Sequence, residues 1–428
     1  MNYKQSIDFL FNKLPYYQRI GAMAYKADLG NTLKLDHNSG NPHKKYKTIH
    51  IAGTNGKGSV AHMLASVLQT AGYKTGLYTS PHLKDFRERI RINGKKISKR
   101  YVVQFVETRK KIISEISPSF FEITADMAFN YFADRQVDFA VIETGLGGRL
   151  DSTNIITPVI AVITNIGLDH TYLLGNTLPD IAGEKAGIIK EKVPVVIGET
   201  QEETKNIFIE TAKSKNSPIY FADQVYSIGK KKKNKTGFTY TILENKKSIY
   251  QKLKIDLAGN YQDKNVITAI SVIEYLKNLG IAVKDRTIYK GFKKVVKNTG
   301  LKGRFHILQK KPLIVCDTGH NFEGIHYVID QLNSLKCNNL HIILGFVKDK
   351  EIDKILGILP KTAVYYFTQA NIPRALHYLE LKQKAEQQGL HGEAYNKVKK
   401  AYKAAKKAAK KKDVIYVGGS TFVVAEVL

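Results

Sequence analysis

Short apolar runs bounded by polar turns organise most of this chain. Residues 46–52 read as a buried strand. From Ser59 to Thr70 apolar residues recur at helical spacing (Val60, Met63, Leu64, Val67, Leu68), with Gly72 placed to cap the helix end. Further apolar runs at 139–142, 159–163 and 193–197 alternate with helix-like stretches, the pattern of a parallel sheet covered on both faces. The first 46 residues read as helical segments with a loop containing Gly and Asn. Glycine and lysine between 229 and 237 predict a hairpin excursion ahead of a helix that Asp263 opens. A polar stretch at 297–303, with two glycines, marks a domain boundary and divides the chain into 1–298 and 299–428. Beyond it a second alternation predicts strands at 313–316, 340–344, 364–367 and 414–417, with a helix at 324–335. The fold class expected is α/β: a mostly parallel sheet domain, then a smaller Rossmann-like α/β domain.

Composition adds constraints. A length of 428 residues exceeds what one core normally supports, and 43% hydrophobic residues are enough to fill two. No apolar run approaches the roughly 20 residues that cross a bilayer, and the N-terminus leads into no signal-peptide core, so the cytoplasm is the expected compartment. The two cysteines, Cys316 and Cys337, have neither metal-ligand nor redox spacing and are expected as buried free thiols. The formal charge of +29 raises the question of nucleic acid. Its lysines gather at 230–233, between expected strands, and at 397–412, where Ala401, Ala404, Ala405, Ala408 and Ala409 predict a helix with a solvated basic face. No zinc-finger spacing, ribonucleoprotein motif or basic region with heptads accompanies the charge. A field that attracts anionic substrates is the alternative use.

The strongest local signal is Gly53-Thr54-Asn55-Gly56-Lys57-Gly58-Ser59, set between a predicted strand and a predicted helix. Glycines there let backbone N–H groups curl around phosphate oxygens, and the helix N-terminus adds its positive end. Lys57 supplies a point charge for the terminal phosphates, and Ser59 is placed to face a magnesium ion. The spacing is shorter than the general phosphate-loop pattern. Glu143, at the end of a predicted strand, and His170, just past another, fall at the carboxyl edge where open α/β sheets bind ligands. With a serine oxygen they could form a magnesium shell, or Asp169 could simply orient His170.

The loop resembles that of the Mur ligase superfamily, specifically its folate branch, the folylpolyglutamate synthase/dihydrofolate synthase family. Further segments agree in order. They are Thr79-Ser80-Pro81-His82-Leu83, Phe86-Arg87-Glu88-Arg89-Ile90, the 143–154 signature Glu-Thr-Gly-Leu-Gly-Gly-Arg-Leu-Asp-Ser-Thr-Asn, 163–170, 183–190, Gly303-Arg304-Phe305, 317–321 and Gly418-Gly419-Ser420. Phe322 stands where the family often has proline. The resemblance covers nearly the whole chain after residue 46.

That resemblance implies ATP bound by Thr54, Asn55, Gly56, Lys57, Gly58 and Ser59, with Asn265 on the base, Arg304 on phosphate, and Asp317 and His320 from the second domain. It implies Ser80, Glu143 and His170 as metal ligands, and a carbamylated Lys185 helping to hold a second magnesium ion, so that two Mg2+ ions and a monovalent cation accompany ATP. Lys57, Lys185 and His170 would carry the catalysis. The folate or pterin would lie along Ser119, Phe120, Phe121 and Glu122 and along Leu150, Asp151 and Ser152; aromatic rings suit a flat heterocycle and Asp151 could accept its hydrogen bonds. Plainer readings stand beside these: Asn265 as a helix residue, Arg304 as a linker cation, Asp317 as a strand-end cap, Phe120 and Phe121 as core.

The expected reaction is attack of a substrate carboxylate on the γ-phosphate of ATP, then capture of the acyl phosphate by the amine of L-glutamate, with domain closure excluding water. The partners are small molecules (folates, dihydropteroate, L-glutamate, ATP), without nucleic acid or membrane, acting on a monomer. Two rivals are a Mur ligase for UDP-linked peptides, against which the 143–154 signature argues, and an ATP-switched nucleic-acid-binding P-loop protein.

Overall fold

The computed structural model describes residues 1–15, 28–234, 236–348 and 352–428; part of the predicted N-terminal helical region, 16–27, lies outside the described residues. Two compact units emerge, one of Met1–Asp256 with Gln262–Leu301, the other of Leu257–Tyr261 with Lys302–Leu428. The chain passes between them after Leu301 rather than at 298/299. The polar stretch before that point is itself structured: Val295–Thr299 forms a short helix, and Leu301 is buried.

In the first unit β1 (Lys47–Ala52), β2 (Thr75–Tyr78), β3 (Ile90–Ile92), β4 (Lys95–Lys96), β5 (Phe139–Glu143), β6 (Ile160–Ile163), β7 (Val195–Ile197) and β8 (Ile219–Phe221) form one sheet in the order β4-β3-β2-β5-β1-β6-β7-β8. All pairings are parallel except β2–β3 and β3–β4, an antiparallel edge. Every residue of β5, β6 and β7 is buried, as expected of strands covered on both faces. Strand β1 lies between β5 and β6, with Ile51 beside Glu143 and Ala52 beside Ile163. Their carboxyl ends therefore finish side by side. The helix Lys57–Thr70 that follows β1 is buried from Gly58 to Leu68, more fully than a one-faced apolar stripe predicts. The extra cover includes the helix Asp285–Phe292, whose Gly291 carbonyl accepts from Ser66 Oγ at 2.7 Å.

A second, antiparallel sheet of β9 (Tyr226–Lys233), β10 (Phe238–Glu244) and β11 (Lys247–Ile255) belongs to the same unit. The expected hairpin is its first two strands. Lys230–Lys233 lie within β9 and not between strands, because the strand needs only alternate positions for its core face.

The second unit holds a six-stranded sheet in the order β12-β13-β17-β14-β15-β16, built from β12 (His306–Lys310), β13 (Leu313–Cys316), β14 (Leu340–Leu344), β15 (Val364–Thr368), β16 (Gly392–Tyr395) and β17 (Val414–Gly418). Only β12 is antiparallel. Strands β12 and β16 escaped the sequence reading because neither carries a buried apolar run. Cys316 is fully buried, whereas Cys337, expected to be buried, is half-exposed; both are free thiols. The lysine- and alanine-rich segment forms the helix Val398–Ala408, which buries Val398, Ala401 and Ala405 and leaves its lysines in solvent. No helix of the described residues is long and apolar enough to cross a membrane.

That helix offers a direct check. Ala401→Asp should destabilise the protein by about 2–4 kcal/mol through an unpaired buried charge, while Lys403→Asp should stay within about 0.5 kcal/mol. Urea unfolding curves that shift equally for both would show that the alanine stripe is not a packed face.

Candidate active site

The phosphate loop leaves the end of β1 and is held open by its neighbours on β6. Thr54 N–H donates to Asn165 O at 2.9 Å, Asn55 N–H to Asn165 Oδ1 at 2.8 Å, and Thr164 Oγ1 to Asn55 O at 2.6 Å. Thr54 Oγ1 both donates to the Gly167 carbonyl and accepts from the Gly167 N–H. Gly56 sits at φ +88°, and a Cβ there would fall 2.2 Å from Asn265 Oδ1, so only glycine allows both the turn and that approach. The Lys57 ammonium folds back onto Gly53 O (2.7 Å) and Thr54 O (3.2 Å) at the first turn of the helix. Ser59 is buried and its Oγ accepts from Gln262 Nε2 at 3.2 Å; the same amide's Oε1 accepts from Asn265 Nδ2 at 2.9 Å. Asn265 is thus brought against the loop.

Glu143 ends β5 almost fully buried, and its Oε2 accepts the Ser80 N–H at 3.1 Å, which joins the loop after β2 to the end of β5. The signature loop then folds back on itself. Gly148 is pressed so closely on the helix Leu178–Ala186 that a Cβ would come 2.7 Å from Glu184 O and 2.9 Å from Lys185 O. Arg149 N–H donates to Glu184 O at 2.7 Å, and Asn154 Nδ2 ties Arg149 O to Gly187 O at 3.0 Å each. The backbone contact places Lys185, itself buried, beside the signature. Burial drives its ammonium down to about 7, and the neighbouring Lys57 charge pushes the same way against Asp169, Asp151 and Glu184.

His170 takes a left-handed φ of +52° at the start of a short helix, its backbone N–H bound by Asp169 Oδ1 at 2.9 Å. Asp169 Oδ1 also lies 3.9 Å from His170 Nε2. Among the described residues no three His, Cys, Asp or Glu side chains form a ready-made metal cluster. The donors present are one buried carboxylate with a serine from the adjoining loop and an imidazole. Of these, Glu143 and Ser80, joined at the end of β5, offer oxygen donors that suit Mg2+, which binds through one or two carboxylates and completes its shell with water and substrate phosphates.

Several expected substrate contacts have other work. Ser119 and Glu122 form a capping box at the start of the helix Phe120–Asp134: Ser119 N–H donates to Glu122 Oε2 and Glu122 N–H to Ser119 Oγ. Phe120 is core, stacked on Phe11 at 5.0 Å between ring centroids with Arg89 over its face. Phe121 is half-exposed and lies against Gly145. Both oxygens of the buried Asp151 are taken up inside the loop, Oδ2 by the N–H groups of Gly145 and Leu146, Oδ1 by the N–H and Oγ1 of Thr153. Asp151 is therefore a loop organiser, and Ser152 is buried beside it while Leu150 stays half-exposed.

In the second unit Asp317 is likewise engaged. Its Oδ2 accepts Tyr261 OH and Phe305 N–H, each at 2.6 Å, and its Oδ1 accepts Gly319 N–H at 2.7 Å. Arg304 Nη1 bonds Thr318 Oγ1, and His320 Nδ1 lies 3.0 Å from Thr318 O. Asn321 caps the helix Phe322–Asn333 by accepting from Gly324 N–H, so Phe322 occupies the first helical position, where proline is also favoured.

Four contributors were not singled out from sequence. Thr164 and Asn165 brace the phosphate loop, and Gln262 joins Ser59 to Asn265; all stand inside quoted or adjacent segments, but only the tertiary fold brings them to the loop. The fourth is His50, fully buried on β1, whose Nε2 lies 2.8 Å from Thr153 Oγ1. Because Thr153 donates its hydroxyl to Asp151, His50 must be the donor, a buried relay running from the central strand to the signature loop.

Residues 51–273 match the family model described as the Mur ligase middle domain, and 303–421 that of the Mur ligase glutamate ligase domain. A dihydrofolate synthase/folylpolyglutamate synthase of Bacillus subtilis is 35% identical over 360 residues, 82% of this chain and 83% of that protein. The structure of Escherichia coli FolC in complex with DHPP and ADP superimposes with a TM-score of 0.86 at 27% identity, covering 100% of this chain and 97% of that one. A bifunctional folylpolyglutamate synthase/dihydrofolate synthase with Mn, AMPPNP and L-glutamate bound matches at 0.81 and 27% identity, covering 94% of each chain.

The relay carries a pH signature. Burial, aided by Lys190, lowers His50 to about 3, whereas in the unfolded chain a histidine titrates near pH 6.5. Below about pH 6.5 the unfolded state binds a proton that the folded state refuses, so stability falls with pH until about 3. His50→Gln, which keeps an N–H for Thr153, should flatten this fall relative to the wild type. Unfolding midpoints that drop in parallel for both proteins from pH 7 to 4 would contradict it.

Proposed function

The chain belongs to the Mur ligase superfamily, in its folylpolyglutamate synthase/dihydrofolate synthase branch, and on that premise we propose that it joins L-glutamate to folates and to dihydropteroate at a single ATP site. It is an ATP-dependent ligase that forms an amide through an acyl phosphate. The observation that carries the reading is the signature loop 143–154 seated backbone to backbone on the turn that buries Lys185. Relatives of the folate branch, over four-fifths of both chains, likewise disfavour a UDP-peptide ligase.

The chemistry follows from what each group offers. A substrate carboxylate attacks the γ-phosphorus of ATP and ADP departs; the transferred phosphoryl group spreads negative charge over its oxygens. The N-terminus of the helix Lys57–Thr70 offers its positive end to that charge, and the Lys57 ammonium, which rests on Gly53 O and Thr54 O, would turn from these carbonyls to meet it. The amine of glutamate then attacks the acyl carbonyl, and phosphate leaves from the tetrahedral intermediate. A divalent cation would be held by Glu143, Ser80 and His170 and supplies charge neutralisation for the phosphates. Lys185, with its proton affinity lowered by burial, has the neutral amine that captures carbon dioxide; as a carbamate it would offer a second ion an oxygen ligand. Asn265, held at Gly56, is assigned to the nucleotide, and Phe121 to the flat ring of the folate.

Lys57→Ala should lower turnover at least roughly 100-fold with an unchanged unfolding midpoint, since the side chain stabilises charge and fills no core. Near-normal ADP release would sink the phosphate-loop assignment. Lys185→Ala should lose most activity and not regain it with added carbon dioxide, and the wild type should show one carbon dioxide of extra mass on the Lys185 peptide; full activity in the variant rules the carbamate out. Products made from dihydropteroate or a monoglutamyl tetrahydrofolate, identified by mass alongside ADP release, decide between one activity and two. Asp151→Ala should depress both reactions alike, because its oxygens shape the shared loop; selective loss with dihydropteroate would return it to the pterin.

A further inference from the structure

The small antiparallel sheet has two unlike faces. One packs Tyr226, Phe238, Tyr240, Ile242, Tyr250 and Leu253 into the core. The other is basic. Lys232 and Lys254 flank Thr239 on either side, and Lys230 sits beside Thr241 one pleat further on, so all three project from the same face; all are exposed. Among the described residues none of Lys230, Lys232 or Lys254 pairs with an acid, and the three strands contain a single acidic residue, Glu244, at the end of β10. Gathering like charges on one sheet face costs stability unless something offsets it.

The neighbour of these lysines fixes where the face lies. Lys231 turns the other way and bonds Asp263 Oδ2 at 2.8 Å, while Tyr240 OH bonds Asp263 Oδ1 at 2.8 Å. Asp263 is in the first turn of the helix Gln262–Asn278, next to the Gln262 that reaches Ser59 of the phosphate-loop helix. The basic strand is therefore fastened beside the helix whose Gln262 reaches Ser59, with Lys230, Lys232 and Lys254 on the opposite face of the sheet.

We propose that this lysine face binds the α-carboxylates of a poly-γ-glutamyl tail, a subsite that rests on the folate ligase reading. Each round converts one carboxylate to an amide and brings in two, so the tail gains one negative charge per residue added. The newest γ-carboxylate must sit at the phosphate loop, and the older α-carboxylates trail from it. A γ-linked repeat has two more carbons than an α-peptide repeat and spans roughly 6 Å when extended. Lys230 and Lys232, two residues apart on a strand, are about 7 Å apart. The spacings agree closely enough for successive carboxylates to meet successive lysines.

The test compares the full-length wild type with Lys230→Glu/Lys232→Glu/Lys254→Glu, and with the milder triple change to Gln in case charge reversal disturbs folding. Monoglutamyl and pentaglutamyl tetrahydrofolates serve as substrates. The expected result is a KM for the pentaglutamate raised roughly tenfold in the reversed variant, from three exposed ion pairs lost, with KM for ATP and for the monoglutamate unchanged and shorter products by mass. The wild-type preference for the long substrate should also fade as salt rises. Equal effects on both folates, or unchanged product lengths, would overturn the subsite. Loss of binding to an RNA oligonucleotide with unchanged product lengths would overturn it too and give the face to nucleic acid. Failure of the wild type to extend even the monoglutamate would instead remove the ligase reading itself.

Discussion

The arrangement depends on one constraint, the placement of β1 between two parallel neighbours. Strand order reverses there, with β5 on one side and β6 on the other, so three carboxyl ends open onto the same edge without an intervening strand. Each end then supplies something different: β1 the phosphate loop, β5 the buried carboxylate Glu143, β6 the Thr164-Asn165 pair that braces the loop. Gly53, Gly56 and Gly148 mark places where the resulting turns press closely on their neighbours. If β1 stood at an edge, these segments would still fold locally but would not meet.

Burial gives the site its electrostatic character. Lys185 and Glu143 are both removed from water, where an isolated charge is costly. Glu143 keeps a backbone donor from Ser80. Lys185 meets the positive charge of Lys57 and shifts toward its neutral form. His50 follows the same logic deeper in the sheet, neutral and committed to one tautomer by Thr153.

Much of the architecture was legible in the sequence because parallel strands advertise themselves as continuous apolar runs: 139–142, 340–344 and 414–417 fall within a residue or so of β5, β14 and β17. Strands β12 and β16 were silent since their residues are only half-buried and carry no period. At the site, the phosphate loop and Glu143 could be placed from strand–loop–helix context alone. Ser119, Glu122, Asp151 and Asp317 could not be given their roles. A polar side chain that caps a helix or ties a loop is indistinguishable by residue type from one that meets a ligand, and the difference lies in whether its acceptors are already filled. His50 illustrates the reverse case, hidden within an apolar strand whose pattern drew attention elsewhere.

One feature of the chain path bears on how the protein can be divided. Residues Leu257–Tyr261 belong with the second unit: the buried amide of Gln331 donates to Ala258 O and accepts from Asn260 N–H, each at 2.7 Å, and Tyr261 is bound to Asp317. The polypeptide thus enters the second unit briefly, returns to form the helix Gln262–Asn278, and leaves again after Leu301. A fragment ending at Leu301 would keep this five-residue excursion but lose every group that receives it, stranding a half-buried tyrosine and an amide-paired backbone immediately ahead of Gln262. The first unit is therefore not an excisable module, and a gene cut at the apparent boundary would yield a phosphate loop whose supporting helix begins from an unmoored end.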